Sequence, residues 1–261
     1  MKTVFLQYIL KPAVAIGLLY FLYTKGLFDI SSLIELMSLS RILIVAVIMA
    51  CVFLLATLRW QYLLKAQSCH MKYTELLKLT LIGLLFNFAI PGSIGGDFVK
   101  SFYIIKHYPT KKTQATMSVI FDRIVGFVTM LLLASACFLI KADVFFADPQ
   151  LRVYALIFIA LTVCVVFGLA FLFSDLIKTS KLVSRLINKL PGSSFIFKVY
   201  DVLHMFGRAK KEISLGIVLS FFCIFGQASI FYLVAKWMQI SDVSIVTVLV
   251  LVPIVLIIQT V

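Results

Sequence analysis

The chain has 261 residues, is 62% hydrophobic and has a mean hydropathy of +1.11. Soluble domains run nearer about 45–50% apolar, which excludes a soluble globular fold, and the alternating segments of about 10 residues that build a β-barrel are absent. The net charge of +13 comes without an aromatic-and-basic nucleic-acid module, so it is read as loops facing anionic lipid heads rather than as a nucleic-acid surface.

In chain order, Val4 to Tyr23 is the first apolar run. It is long for a signal-peptide core and no small-x-small cleavage site follows, so it reads as an uncleaved transmembrane helix, kinked at Pro12. Arg41 to Leu64 is the second span and ends in Arg59-Trp60-Gln61-Tyr62, a cluster suited to the headgroup interface. Lys65 to Lys78 is a basic loop, and Leu79 to Ile90 is apolar but too short to span upright. Pro91-Gly92-Ser93-Ile94-Gly95-Gly96 then breaks the helix, and Phe98 to Ile105 is apolar again. Gln114 to Ile140 is a long span carrying Asp122–Arg123. A loop from Lys141 to Arg152 leads to a span over Val153 to Phe173. Ser174 to Glu212 is a basic connection, in which two amphipathic stretches flank Pro191–Gly192. Ile213 to Val234 and Ile245 to Val261 are the last two apolar runs.

Loop charges bear on how residues 79–105 meet the membrane. If they cross once, the basic residues before and after them fall on opposite sides. If they dip in and return, eighteen basic residues share one side, five lie on the other and Arg123 is intramembrane. The positive-inside rule therefore favours a re-entrant hairpin with its tip at Pro91–Gly96 and a cytoplasmic N-terminus. A single kinked crossing is the competing reading. Residues 175–211 read as a cytoplasmic amphipathic connection, because Leu176, Val183, Leu186, Ile187 and Leu190 recur at helical spacing opposite lysines and an arginine.

Broken backbone at membrane depth is tolerated where it is buried in protein or lines a wet cavity. The helix that restarts near Ser93–Asp97 presents N–H groups and a positive dipole end, which suit an anion, although Asp97 as an N-cap would satisfy those donors itself. Asp122 and Arg123 lie well inside their span, where charges are costly and by default functional. Adjacent helical residues point about 100° apart, so each needs its own partner: Asp97 for Arg123, and Lys100 or Arg59 for Asp122. The plain reading is an ion-pair network holding the hairpin. The sharper one is a basic cavity of Arg59, Lys100 and Arg123 for a phosphate headgroup, with Asn87 and Gln227 adding neutral hydrogen bonds. The five cysteines form no CxxC pair and read as small core residues, and the three histidines sit apart in basic segments, so no metal or cofactor is expected.

At these motifs the chain resembles the lysylphosphatidylglycerol synthase transmembrane-region family, also called the flippase-like domain family. The resemblance rests on Asn87-Phe88-x-x-Pro91-Gly92-Ser93-x-Gly95-Gly96-Asp97-x-x-Lys100, then Asp122-Arg123-x-x-Gly126, with Leu58-Arg59-Trp60 before them. It covers essentially the whole chain. It implies a multi-helix protein of a prokaryotic plasma membrane that moves a lipid or lipid-linked headgroup. Its partners would be an anionic phospholipid or a polyprenyl-phosphate-linked lipid, and in some members a soluble transferase. Two departures stand out. No soluble transferase domain is present, which favours a stand-alone member without enzymatic activity of its own, and the family's late Pro/Gly-rich motif would begin near Gln259–Val261, as in a C-terminally truncated chain.

The resulting expectation is one all-α polytopic membrane domain over residues 1–261, with about six transmembrane helices and a re-entrant helical hairpin. The expected headgroup site comprises Arg59, Asn87, Ser93, Gly95, Gly96, Asp97, Lys100, Asp122 and Arg123. The alternatives are the membrane component of phosphatidylglycerol lysyl transfer, or a scaffold docking a soluble synthase.

Overall fold

A computed structural model describes residues 36–89, 95–173, 193–240 and 243–260, with isolated positions at 17, 20, 21 and 24. The expected first span, the Pro91–Ile94 break with Ser93, and the amphipathic stretch 174–192 lie outside the described residues. Those described are helical: α1 (Leu39–Ala66), α2 (Tyr73–Ala89), α3 (Gly95–His107), α4 (Lys112–Ile140), α5 (Ala142–Phe145), α6 (Pro149–Phe173), α7 (Ser193–Arg208), α8 (Lys210–Trp237) and α9 (Ile245–Thr260). By length and composition α1, α4, α6 and α8 are able to cross a membrane. The apolar α9 has 16 residues.

The bundle is organised by α1 and α8, which run antiparallel along their length. Arg41 stacks over Trp237 at one end, with its guanidinium carbon 5.6 Å from the ring centroid. Further along, Gly226 of α8 faces Val52 and Ile48, and near the other end Gly216 faces Leu63. α4 packs on both helices, and α6, α9 and α7 pack around it. Large apolar side chains of α6, such as Phe167 and Tyr154, point outward, as lipid-facing residues do.

Three local differences from the sequence reading have simple causes. The span expected from Val153 begins at Pro149, because Asp148 caps it: its Oδ1 accepts from the backbone N–H groups of Gln150 and Leu151 at 2.7 and 3.1 Å. The preceding loop also contains the single-turn α5. Of the cysteines, Cys69, Cys137 and Cys223 are buried, whereas Cys51 and Cys164 lie exposed on α1 and α6, since lipid accepts a small apolar side chain as readily as a core does.

Helices α2 and α3 pack against each other as a hairpin. α1 ends sharply at Ser68, which takes the left-handed conformation (φ 55°). The two feet of the hairpin then meet: Tyr108 donates to the carbonyl oxygen of His70, and Lys111 Nζ donates to that of Ser68 at 2.8 Å. The chain thus leaves α3 at the end where it entered α2. A buried cluster of Trp60, Leu64, Leu76, Ile104, Ala115 and Val119 fixes the hairpin to α1 and α4.

Candidate functional site

The apolar helices bring five charged side chains into one layer. Arg59 lies seven residues before the end of α1, Asp122 ten residues into α4 and Ser220 ten residues into α8. At about 1.5 Å per residue these are depths of about 10–15 Å from the helix ends that lie beside the hairpin feet. Asp97 and Lys100, in the first two turns of α3, come down to the same level from the hairpin tip.

Arg59 and Asp122 form a two-pronged ion pair, with Nε to Oδ1 at 2.7 Å and Nη2 to Oδ2 at 3.0 Å. Each side chain is only 13% exposed. The remaining guanidinium nitrogen donates to Ser220 Oγ at 2.9 Å, and that hydroxyl donates to the Gly216 carbonyl at 2.8 Å. Gly126 faces this guanidinium closely: a Cβ there would stand 3.2 Å from Arg59 Nη1, which would have to give by a few tenths of an ångström. Arg123 reaches the hairpin instead: its Nε lies 2.7 Å from Asp97 Oδ2. This second pair is more open, with Arg123 45% and Asp97 24% exposed.

Lys100 has a different environment. Its ammonium lies 5.1 Å from the centroid of the Trp60 ring, and its methylene stem crosses the face of α2 at Gly83. Among the described residues no carboxylate forms an ion pair with it; Asp122 and Asp97 reach it only through space. Trp60 is itself fixed, being 1% exposed with Nε1 donating to Ser118 Oγ at 3.3 Å. It is therefore an interior residue and not the headgroup-level aromatic that its neighbours Arg59 and Tyr62 suggested.

The hairpin tip is held by close backbone approach. Gly96 N–H donates to Asn87 Oδ1 at 2.7 Å, and a Cβ on Gly96 would collide with the Gly83 carbonyl. Asn87 thus satisfies one donor of the α3 N-terminus from the neighbouring helix. Asp97 does not cap α3 as expected. It lies within the first turn, and its Oδ2 accepts from Arg123 Nε. Gly95 is buried beside Gly96. Among the described residues no hydrogen bond joins Gln227 to the layer.

The structure thus brings Arg59, Asn87, Gly96, Asp97, Lys100, Asp122 and Arg123 together. Asp97 is the partner the sequence indicated for Arg123, and Asp122 takes Arg59 rather than Lys100. Arg59 and Lys100, which the loop-charge argument counted with the basic loops, belong to the buried layer instead. Sequence reasoning missed Trp60 as a cation platform, Ser220 and Gly83. A serine four residues after Gly216 in an apolar run was the available signal for Ser220.

Below the layer, Leu63, Phe121, Val125, Val202 and Phe206 form a buried plug, in which the Phe121 and Phe206 rings stack with centroids 3.9 Å apart. Gln67 ties α7 to α1 by donating to the Val202 carbonyl at 3.0 Å. The layer is therefore backed by apolar packing on the side of α7.

A bundle of membrane-length helices enclosing a layer of charges defines a polytopic α-helical membrane protein with a polar interior site. Residues 8–261 match the family model described as lysylphosphatidylglycerol synthase TM region, and the chain belongs to that family. No curated protein and no solved structure matches the chain.

Proposed function

We propose that this protein moves an anionic lipid headgroup across the bilayer, through the charged layer and without covalent catalysis. The observation that carries this reading is the charge balance. Among the described residues Arg59 pairs with Asp122 and Arg123 with Asp97, whereas Lys100 rests on an aromatic ring with no carboxylate at ion-pair distance. Uncompensated charge away from water is costly, and a passing phosphate would cancel it. Lys100 and Arg123 would hold the phosphate, Asp97 would release Arg123 to it, and the Arg59–Asp122–Ser220 network would hold the frame. Ser93, Gly95 and Gly96 would present the hairpin tip. An anionic phospholipid is favoured over a polyprenyl-phosphate-linked lipid by the family's description.

This mechanism requires the hairpin to re-enter the membrane from the cytoplasmic side of a prokaryotic plasma membrane. The meeting of its two feet supports that topology. Single cysteines at Lys72 and Lys111 should label from one side with an impermeant thiol reagent, and one at Asp143 from the other. Labelling of Lys72 and Lys111 from opposite faces would remove the geometric basis of the mechanism.

For activity, the full chain is reconstituted in liposomes containing a fluorescent phosphatidylglycerol, and inner-leaflet label is detected by its protection from a membrane-impermeant reductant. Wild type should exchange label between leaflets, and K100Q should slow this at least about tenfold. Equal rates in wild type, K100Q and protein-free liposomes would refute the proposal. The family description also favours a second reading, in which this chain is the membrane component of lysyl transfer to phosphatidylglycerol with a soluble transferase as partner. Chemical conversion of the labelled lipid, with no movement of it, would select that reading.

A further inference from the structure

A second lipid-accessible feature lies apart from the charged layer. Where α6 ends and α8 begins, a groove of about 550 Å³ opens on the outer surface of the bundle. Ala170 and Phe173 of α6 face Ile213, Ile217 and Val218 of α8, and the floor backs onto the Leu63–Phe121 plug. Gly207 completes it, since any Cβ there would collide with Phe173 and force the α7–α8 junction away. The volume falls within the range of about 300–1,000 Å³ usual for ligand sites. The groove is apolar except at one end, where Lys210 and Ser214 stand exposed.

Position and charge indicate the occupant. Lys210 is the first residue of a membrane-length helix and Phe173 the last of another, so the polar end lies at headgroup depth and the apolar body below it. Arg208, Lys210 and Lys211 place three cations within four residues, against Glu212 alone. Residues 174–192, which follow Phe173 in the chain, carry Lys178, Lys181, Arg185 and Lys189 against Asp175 alone, so their charge has the same sign as that of the groove's polar end. An anionic amphiphile satisfies both ends of the groove.

We propose that the groove binds one anionic glycerophospholipid, with an acyl chain between α6 and α8 and the phosphate on Lys210 and Ser214. This site faces the surrounding lipid and is independent of headgroup passage through the bundle. A lipid bound here bridges α6, α7 and α8.

The test is native mass spectrometry of the full chain in detergent, with added dioleoyl-phosphatidylglycerol or dioleoyl-phosphatidylcholine. Wild type should retain one phosphatidylglycerol about tenfold more tightly than phosphatidylcholine, as expected for a cation cluster at the surface. K210E should erase that preference. A170W, which fills the groove without changing charge, should abolish retention. K141E, at the opposite end of the bundle, should bind as wild type does. K100Q, which discharges the central layer, should keep this lipid, so failure of the translocation mechanism and failure of this site are read separately. If K210E does not fold, A170W and the phosphatidylcholine comparison decide. Equal retention of the two lipids, unchanged retention in A170W, or no retained lipid in wild type because residues 174–192 cover the groove would each overturn the proposal.

Discussion

Replacing Asp122 by Asn tests the frame of the site most directly. The change keeps the shape of the side chain but removes its charge, and turns one acceptor facing Arg59 into a donor. Arg59 would keep its bond to Ser220 Oγ and at most one bond to the remaining amide oxygen, and would lose the charge that balances its own. Both members of the pair are 13% exposed, so solvent offers little relief. Breaking a buried pair by removing one partner costs about 3–5 kcal/mol. For a chain of about this size each kcal/mol lowers Tm by about 2–4 °C, which gives a fall of roughly 6–20 °C. The assay is thermal unfolding in detergent, followed by loss of the monodisperse size-exclusion peak. R59M, which removes the cation, should be similarly destabilised, and the double variant R59M/D122N should recover a large part of the loss, giving coupling of about 2–4 kcal/mol. Strict additivity of the two single changes would show that the pair contributes no coupling and that the argument is wrong.

Other expectations follow from the same geometry. G96A should cost about 1–3 kcal/mol in the same thermal assay, because the added methyl meets the fixed Gly83 backbone; an unchanged Tm would contradict the close approach. N87A should cost about 1–3 kcal/mol by leaving the Gly96 N–H unpaired. D97N should change stability by about 0–1 kcal/mol, since its partner Arg123 is 45% exposed, yet slow lipid exchange in liposomes; a large loss of stability without a change in exchange would make the pair structural. Outside the spans, burial pushes the Cys69 thiol up, with Lys111 opposing it. The thiolate is the reactive form, so a variant retaining only Cys69 should react with maleimide at higher pH than one with a single cysteine at exposed Lys72. Identical pH profiles would contradict the burial.

Membrane class was legible in composition, because lipid requires long apolar runs whatever the tertiary fold. The pairing of α2 with α3 was legible because Pro91, Gly92, Gly95 and Gly96 interrupt such a run. Arg123–Asp97 was accessible to reasoning, since a charge in a span needs a partner and few were available. Trp60 was misjudged because an aromatic near the end of a span looks the same in sequence whether it faces headgroups or the core. Its burial follows from the hairpin and α4 packing over α1. The start of α6 was misplaced because a cap is set by one carboxylate at Asp148, which hydropathy does not register.

By itself, then, the sequence determined that this is a multi-span helical protein with charges inside its apolar runs, because these depend on transfer between water and lipid residue by residue. The tertiary structure alone decided which cation each carboxylate takes. Arg59 reaches Asp122 because Gly126 leaves room for its guanidinium and Ser220 receives its last N–H. Lys100 is left over because Gly83 and Gly96 bring α2 and α3 close enough to lay its stem across the hairpin and its ammonium over Trp60. Pairing depends on distances of a few ångströms between helices far apart in sequence, and those distances are set by packing, which no single segment encodes.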